Sequence, residues 1–185
     1  MMPLNSFEHL SVEIPESELQ SPIESISIEK LDMKIKFEKA SLLPRTGGEW
    51  TGEPGNSVWI PDRDFEPGDR HGTNPENKTW GEILDEYGID GIPFKDGEPD
   101  FSEVAKGEVE IDDFSSDRDA NFSQADEKLA EIRGCTPEEV EQWRKENKYT
   151  WHECKDCKTM QKVPTEVHGN VSHSGGISVS KAQAA

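Results

Sequence analysis

Apolar residues are scarce in this chain. Only 31% of its 185 residues are hydrophobic, and mean hydropathy is -0.84. Composition this lean supports a modest core and much loop or extended segment, which favours a small folded unit with loosely packed arms over one large fold. No apolar run approaches the ~20 residues needed to cross a bilayer. The N-terminal run Met1-Met2-Pro3-Leu4-Asn5-Ser6-Phe7-Glu8 has neither a basic start nor an apolar stretch, so no signal peptide, no membrane segment and a soluble chain are expected. Three cysteines (Cys135, Cys154 and Cys157) are too few and too clustered for a disulfide framework. No internal repeat is visible.

Basic residues are also in deficit. Twenty Lys and Arg stand against 39 Asp and Glu, for a net charge of -19 and a pI near 4.6. That balance excludes a chain that coats nucleic acid along its whole length. The deficit is uneven, however. From Arg144 onward there are seven basic and four acidic side chains, a net +3, which leaves -22 for the rest. A mildly basic end on a strongly acidic chain is an asymmetry with functional content, although a solvated acidic surface also serves solubility.

Three regions follow from composition and patterning. Residues 1–45 form an acidic segment, unpatterned over 1–20. Leu31, Met33, Ile35 and Phe37 then alternate with charged residues as in a half-buried strand, and Ile23, Ile26 and Ile28 offer a second strand or edge. Residues 46–100 are rich in Gly, Pro and Trp and read as a long loop with a short helix. Turn chemistry recurs at Gly47-Gly48, Pro54-Gly55-Asn56 and Pro67-Gly68-Asp69, and Trp50 and Trp59 pin the loop to a neighbour. Asp62, Asp64, Glu66 and Asp69 are loosely spaced like a calcium loop, but the glycine and terminal glutamate of an EF-hand are missing. Residues 101–185, with a core at 135–180, carry the chemistry.

Helix signals are strongest at caps. Thr79 with Glu82 opens a short helix closed by Gly88. Ser123 opens a second, through Ala125, Leu129 and Ile132, ended by Gly134. Thr136, Pro137 and Glu139 form a capping box for a third, which turns Val140 and Trp143 inward and ends near Asn147. Tyr149 to Cys154 then reads as a strand, Lys155-Asp156-Cys157 as a turn, and Thr159 to Val163 as the partner strand. Pro164 breaks that strand, Thr165 caps a short helix toward His173, and Gly175-Gly176 stops it.

Three of the five histidines (His152, His168 and His173) fall on this strand–turn–strand–helix unit. Imidazoles hold a borderline or transition metal through nitrogen and leave positions open for phosphate and water. A shared metal or catalytic site is therefore expected. His168 and His173 are five apart, about 140° around an ideal helix, so His173 is expected just past the last turn, where Ser174-Gly175-Gly176 lets the chain curl back. Cys154 and Cys157 form a C-x-x-C without a second pair, so a secondary zinc there would have to borrow Cys135 or a histidine. Lys155, Lys158 and Lys162 flank the site as candidates for phosphate contact, or as ordinary exposed lysines.

The run Tyr149-Thr150-Trp151-His152-Glu153, then Met160-Gln161-Lys162-Val163-Pro164, His168 and His173-Ser174-Gly175-Gly176, resembles the WHH branch of the HNH/endonuclease VII superfamily. That branch comprises C-terminal nuclease domains of bacterial polymorphic toxins, related to colicin DNase/tRNase domains. Gly91-Ile92-Pro93-Phe94-Lys95-Asp96-Gly97-Glu98-Pro99-Asp100-Phe101-Ser102 resembles what precedes such domains, and the likeness spans roughly residues 90–180. It implies an α+β chain with a small C-terminal ββα-metal, treble-clef-like nuclease unit, preceded by helices and a loop-rich, partly β N-terminal region. It further implies a divalent metal ion (Zn, Mg, Mn or Ni) on His152, His168 and His173. Activity would be hydrolysis of DNA, with RNA second. The bacterial chain would be exported by a specialised secretion system to act in the target-cell cytoplasm, with a cognate immunity protein as partner. The family commonly has a second histidine as general base where this chain has Glu153. Glu153 as base is the first expectation; Glu153 on the metal with His152 as base is the second. Two other functions compete: a zinc-stabilised binding module closed by Cys154, Cys157, His168 and His173, and an inactive acidic interaction protein that mimics DNA.

Overall fold

The computed structural model describes residues 42–184, all within one unit that spans Lys36–Ala185. The strands expected around Ile23–Ile28 and Leu31–Phe37 lie outside the described residues. The chain is α+β. Among the described residues there are five helices and two antiparallel sheets, in the order β1 (Gly48–Trp50), β2 (Val58–Pro61), α1 (Trp80–Tyr87), β3 (Ile92–Lys95), β4 (Glu98–Pro99), β5 (Glu108–Glu110), α2 (Arg118–Arg133), α3 (Pro137–Glu146), β6 (Tyr149–Glu153), β7 (Thr159–Pro164), α4 (Thr165–Asn170) and α5 (Gly176–Gln183).

Part of the expected long loop is a sheet. Trp50 pairs with Trp59 across β1 and β2, Trp59 pairs with Ile92 on β3, and β3 turns through Asp96-Gly97 into β4. Both turn residues have positive φ (51° and 74°), the requirement of a tight two-residue hairpin that Asp-Gly meets with little strain. The second sheet has the order β5-β7-β6 and joins distant chain segments, with Val109 opposite Met160, 51 residues on, and His152 opposite Gln161.

This second sheet separates two hydrophobic clusters. Successive strand residues point to opposite faces. Trp151 and Met160 therefore enter one cluster with Ala125, Leu129 and Val140 from α2 and α3. Val163 enters the other, with Trp59, Ile83, Leu84, Ile92, Phe94, Phe101, Val167 and Val171. Residues of the 46–100 region thus share a core with β7 and with α4, the helix that carries His168.

Local chemistry accounts for the helix ends. The capping boxes at Thr79/Glu82 and Thr136/Glu139 both form, and α1 and α2 end on left-handed Gly88 and Gly134. Three expectations need correction. Helix α2 starts at Arg118, because Asp117 accepts the N–H groups of Asp119 and Ala120; Ser123 lies a turn inside, its hydroxyl donating back to the Asp119 carbonyl, and Ile132 faces solvent. Thr165 is the first residue of α4, with no side-chain cap. Gly175 and Gly176 do not stop a helix; α4 already ends at Asn170, and Gly176 opens α5.

Trp143, expected inward, is 37% exposed, and its ring lies over the ammonium of Lys162 at 4.1 Å from the centroid. Lys162 pairs with Trp151 in register and points to the same helix-covered face, so it is wholly buried and its Nζ has no hydrogen-bond partner. Burial, assisted by Arg133 and Arg144, pushes its pKa down to about 8. A pKa below the unfolded value costs stability wherever the unfolded chain holds its proton: fully below about pH 8, and vanishing as pH rises through the unfolded pKa near 10.4. The shift corresponds to about 3 kcal/mol, offset in part by the cation–π contact. Lys162→Met is therefore expected to raise unfolding free energy by about 2 kcal/mol at pH 7, with the gain fading above pH 10, in denaturant titrations at both pH values.

Candidate metal centre and catalytic site

Three elements bring the histidines together. His152 is the fourth residue of β6 and, by strand alternation, faces away from the Trp151 cluster. His168 is on α4, and His173 follows in the extended segment before α5. Helix α4 is held in place by its neighbours. The buried Glu166 carboxylate accepts Lys78 Nζ at 3.1 Å through both oxygens, and Asn170 Nδ2 donates to the Thr73 carbonyl. After His173 the chain returns close to β6: a Cβ on Gly175 would sit 2.6 Å from the Glu153 carbonyl oxygen, so a side chain there would push His173 away from His152.

Ring centroids are 5.2 Å apart for His152–His168, 5.0 Å for His152–His173 and 4.7 Å for His168–His173. One nitrogen from each ring falls in a set whose members all lie within 4.8 Å of one another. His152 Nδ1 meets His168 Nε2 at 3.2 Å, close to the ~3.3 Å between two ligands of a tetrahedral zinc with bonds near 2.0 Å. His173 Nδ1 donates to the Val171 carbonyl at 2.8 Å, which leaves Nε2 as the lone-pair nitrogen. The Phe101 ring, 1% exposed, touches all three imidazoles at 5.0–5.7 Å and closes the centre on one side. Burial, with the neighbouring rings, lowers the pKa of His168 well below the ordinary imidazole value and that of His173 to about 4. Both rings are neutral at pH 7, the state that binds metal. The donor set and spacing fit a divalent cation.

His152 has a second contact. Its Nε2 is buried, has no hydrogen-bond partner and stands 3.7 Å from Glu98 Oε1. Glu98, His152 and Cys154 form a second group of potential ligands within 4.8 Å. Glu98 also accepts the Lys155 backbone N–H at 2.5 Å, which ties the β3–β4 hairpin to the end of β6. The sequence reading did not single out Glu98 or Phe101 as site residues. Both lie in the stretch from Gly91 to Ser102 that carries part of the family resemblance, more than 50 residues before His152.

Glu153 is not brought together with the histidines. It follows His152 on a strand and so projects to the α2 face, where it is 5% exposed and both oxygens are engaged. Asn121 Nδ2 donates to Oε1 at 2.9 Å, and Arg118 Nε donates to Oε2 at 3.1 Å. The Arg118 side chain is itself 61% exposed, so a buried carboxylate anchors a solvent-facing guanidinium.

The flanking lysines are committed elsewhere. Lys158 pairs with Glu110 at 2.6 Å, and Lys155 Nζ donates to the Asp96 carbonyl at 3.0 Å. Lys162 points inward, so the expectation that it meets phosphates is corrected by strand alternation. Among the described residues Cys154 and Cys157 do not fall in one potential ligand group. Cys154 groups with Glu98 and His152, whereas Cys157 Sγ is directed at the Lys155 and Gly176 carbonyls. Burial pushes both thiols up in pKa.

Among the described residues no helix is long and apolar enough to cross a membrane. No curated protein matches the chain. Residues 91–175, from the strand before Glu98 to the glycine after His173, match the family model of the DNase/tRNase domain of colicin-like bacteriocin, a match consistent with an HNH-type nuclease toxin domain.

Proposed function

We propose that this chain is a divalent-metal-dependent endonuclease of the HNH type that cuts DNA, and RNA second, as the toxic effector of a bacterial competition system. The observation that carries the reading is the convergence of one ring nitrogen each from His152, His168 and His173 into one compact set. All-nitrogen ligation favours zinc or nickel over manganese and magnesium. When bound, the cation supplies Lewis-acid charge at the scissile phosphate and lowers the pKa of water.

The chain's own residues do the rest. His152, His168 and His173 act as neutral donors. Glu98 faces His152 Nε2 and favours the tautomer that leaves Nδ1 toward the other two rings. Phe101 keeps water from one side of the centre. Arg118, braced by Glu153, offers a guanidinium fork suited to phosphate oxygens. With both oxygens engaged on the opposite face of β6, Glu153 is placed better to hold Arg118 than to take a proton from water. Glu153→Gln is therefore expected to raise KM and to lower kcat less than about 10-fold. Loss of a general base would cost ~10²–10⁴ in kcat, and steady-state cleavage kinetics separate the two.

The zinc-module reading is weaker, because Cys157 falls outside both potential ligand groups among the described residues. Incubation of supercoiled plasmid and of structured RNA with magnesium, manganese, nickel and zinc tests the main proposal. Nicking that requires one of these ions and stops with chelator is the expected result. Intact plasmid and RNA under all four would refute it. A bacteriocin-like effector also implies an immunity protein, export by a specialised secretion system, and action in the cytoplasm of the target cell.

A further inference from the structure

A polar cavity lies outside the histidine set, lined mostly by residues 44–80, which the family match does not cover. It encloses about 130 Å³ between the strand and loop residues 44–70 and the end of α4. Trp59 and Trp80, both 3% exposed, contribute to its lining, and so does Phe65, which is 44% exposed. Asn170 and Ser172 line its other side, two residues beyond His168 and one before His173.

The charge of its wall is unlike the rest of the molecule. The chain has 39 acidic side chains, yet among the described residues none lines this cavity, whereas two of its lining residues are Arg45 and Arg70. Neither guanidinium has a carboxylate partner among the described residues, in contrast to Arg63 (Asp85), Arg118 (Glu153) and Arg144 (Asp126). The nearby acids Asp62 and Asp69 are turned onto backbone N–H groups of Asp64 and Asn74. Two unpaired guanidiniums around a polar hollow a few waters in size suit one phosphate group rather than a whole nucleotide. The exposed Phe65 offers a face on which an adjacent base can stack.

We propose that this cavity seats a backbone phosphate of the nucleic-acid strand being cleaved, with Arg45 and Arg70 as the anion-binding pair and Phe65 as the base platform. The assignment rests on the nuclease reading and adds to it a substrate subsite built by residues 44–70. It explains why an acidic chain keeps this wall free of carboxylates next to the segment that carries His168 and His173. The subsite sets strand position and KM, and it takes no part in bond cleavage.

The test uses the full chain with fluorescein-labelled 12-mer DNA, single-stranded and duplex, in chelator to prevent cleavage. Anisotropy is measured over a range of salt for wild type, Arg45→Ala, Arg70→Ala and Phe65→Ala, and plasmid cleavage is measured alongside. Each arginine variant is expected to bind several-fold more weakly and to reduce the slope of log K against log salt by about 0.7–0.9. KM should rise with kcat retained, and Phe65→Ala should weaken binding with the slope unchanged. Arginine variants that bind and cleave as wild type does would overturn the subsite and leave the nuclease reading standing. Wild type that cleaves no nucleic acid would overturn both. Titration with inorganic phosphate alone separates the sources: saturable phosphate binding lost in the arginine variants, with oligonucleotide binding unchanged, would make this a small-anion site and overturn the assignment.

Discussion

His168→Ala is expected to lower metal-dependent cleavage by more than 100-fold while leaving the fold intact. His168 is one of three converging imidazoles, and two remaining nitrogens hold a divalent ion far less tightly. Loss of a mere outer partner of a metal ligand typically costs ~10–100-fold in affinity or activity, so loss of a ligand should exceed that range. The side chain is neutral and, among the described residues, makes its hydrogen-bond contact only with His152 Nδ1 at 3.2 Å, so truncation leaves no buried charge behind. Plasmid nicking read beside far-UV circular dichroism tests this. His71→Ala, at an exposed residue outside the histidine set, serves as the matched control and should cleave as wild type does. Full activity in His168→Ala would remove His168 from the centre.

The largest stability effect is expected on the other face of the same sheet. Asp126, 4% exposed, accepts Arg144 through two guanidinium nitrogens, Nη2 and Nε (2.8 and 3.3 Å), and also the Trp151 indole N–H at 2.8 Å. This cluster ties α2, α3 and β6 together one residue before His152. Asp126→Ala would leave the Arg144 charge, 8% exposed, and the indole N–H unpaired in the interior, at a cost of about 3–5 kcal/mol. For a chain of this size that is a fall in melting temperature of about 10 °C, measurable by calorimetry. The double variant Asp126→Leu with Arg144→Met should recover much of the loss, because most of the penalty is the stranded charge and not the lost pair. A single-variant loss under 1 kcal/mol would contradict the buried-network account.

Features that depend on nearby residues were legible in the sequence. The capping boxes at Thr79 and Thr136, the left-handed glycines at 88 and 134, and the β6–β7 hairpin all rest on contacts within a few residues, and each forms. The three histidines were legible as a group for the same reason. Side-chain direction on the same strands was harder to read. Glu153 and Lys162 sit beside site positions in sequence, and strand alternation sends both to the helix-covered face, one onto Arg118 and Asn121 and the other beneath Trp143.

Long-range partners were not legible. Glu98 and Phe101 reach His152 from 54 and 51 residues away, through a hairpin whose position depends on how β3 packs against β2. The start of α2 was hidden because its first turn, Arg118-Asp119-Ala120-Asn121, is polar or small and shows no amphipathic period; its cap at Asp117 was the available signal. Trp50 and Trp59 read as loop anchors because the strands that carry them are only three and four residues long.

Metal stoichiometry is the most direct test of the three-histidine centre. Purified chain is loaded with zinc or nickel, dialysed, and analysed by native mass spectrometry beside His152→Ala, His168→Ala and His173→Ala. The account predicts one tightly held ion per wild-type chain, its loss in each of the three variants, and retention in Cys157→Ala. Equal metal content in wild type and the histidine variants, or loss of the ion in Cys157→Ala alone, would contradict it.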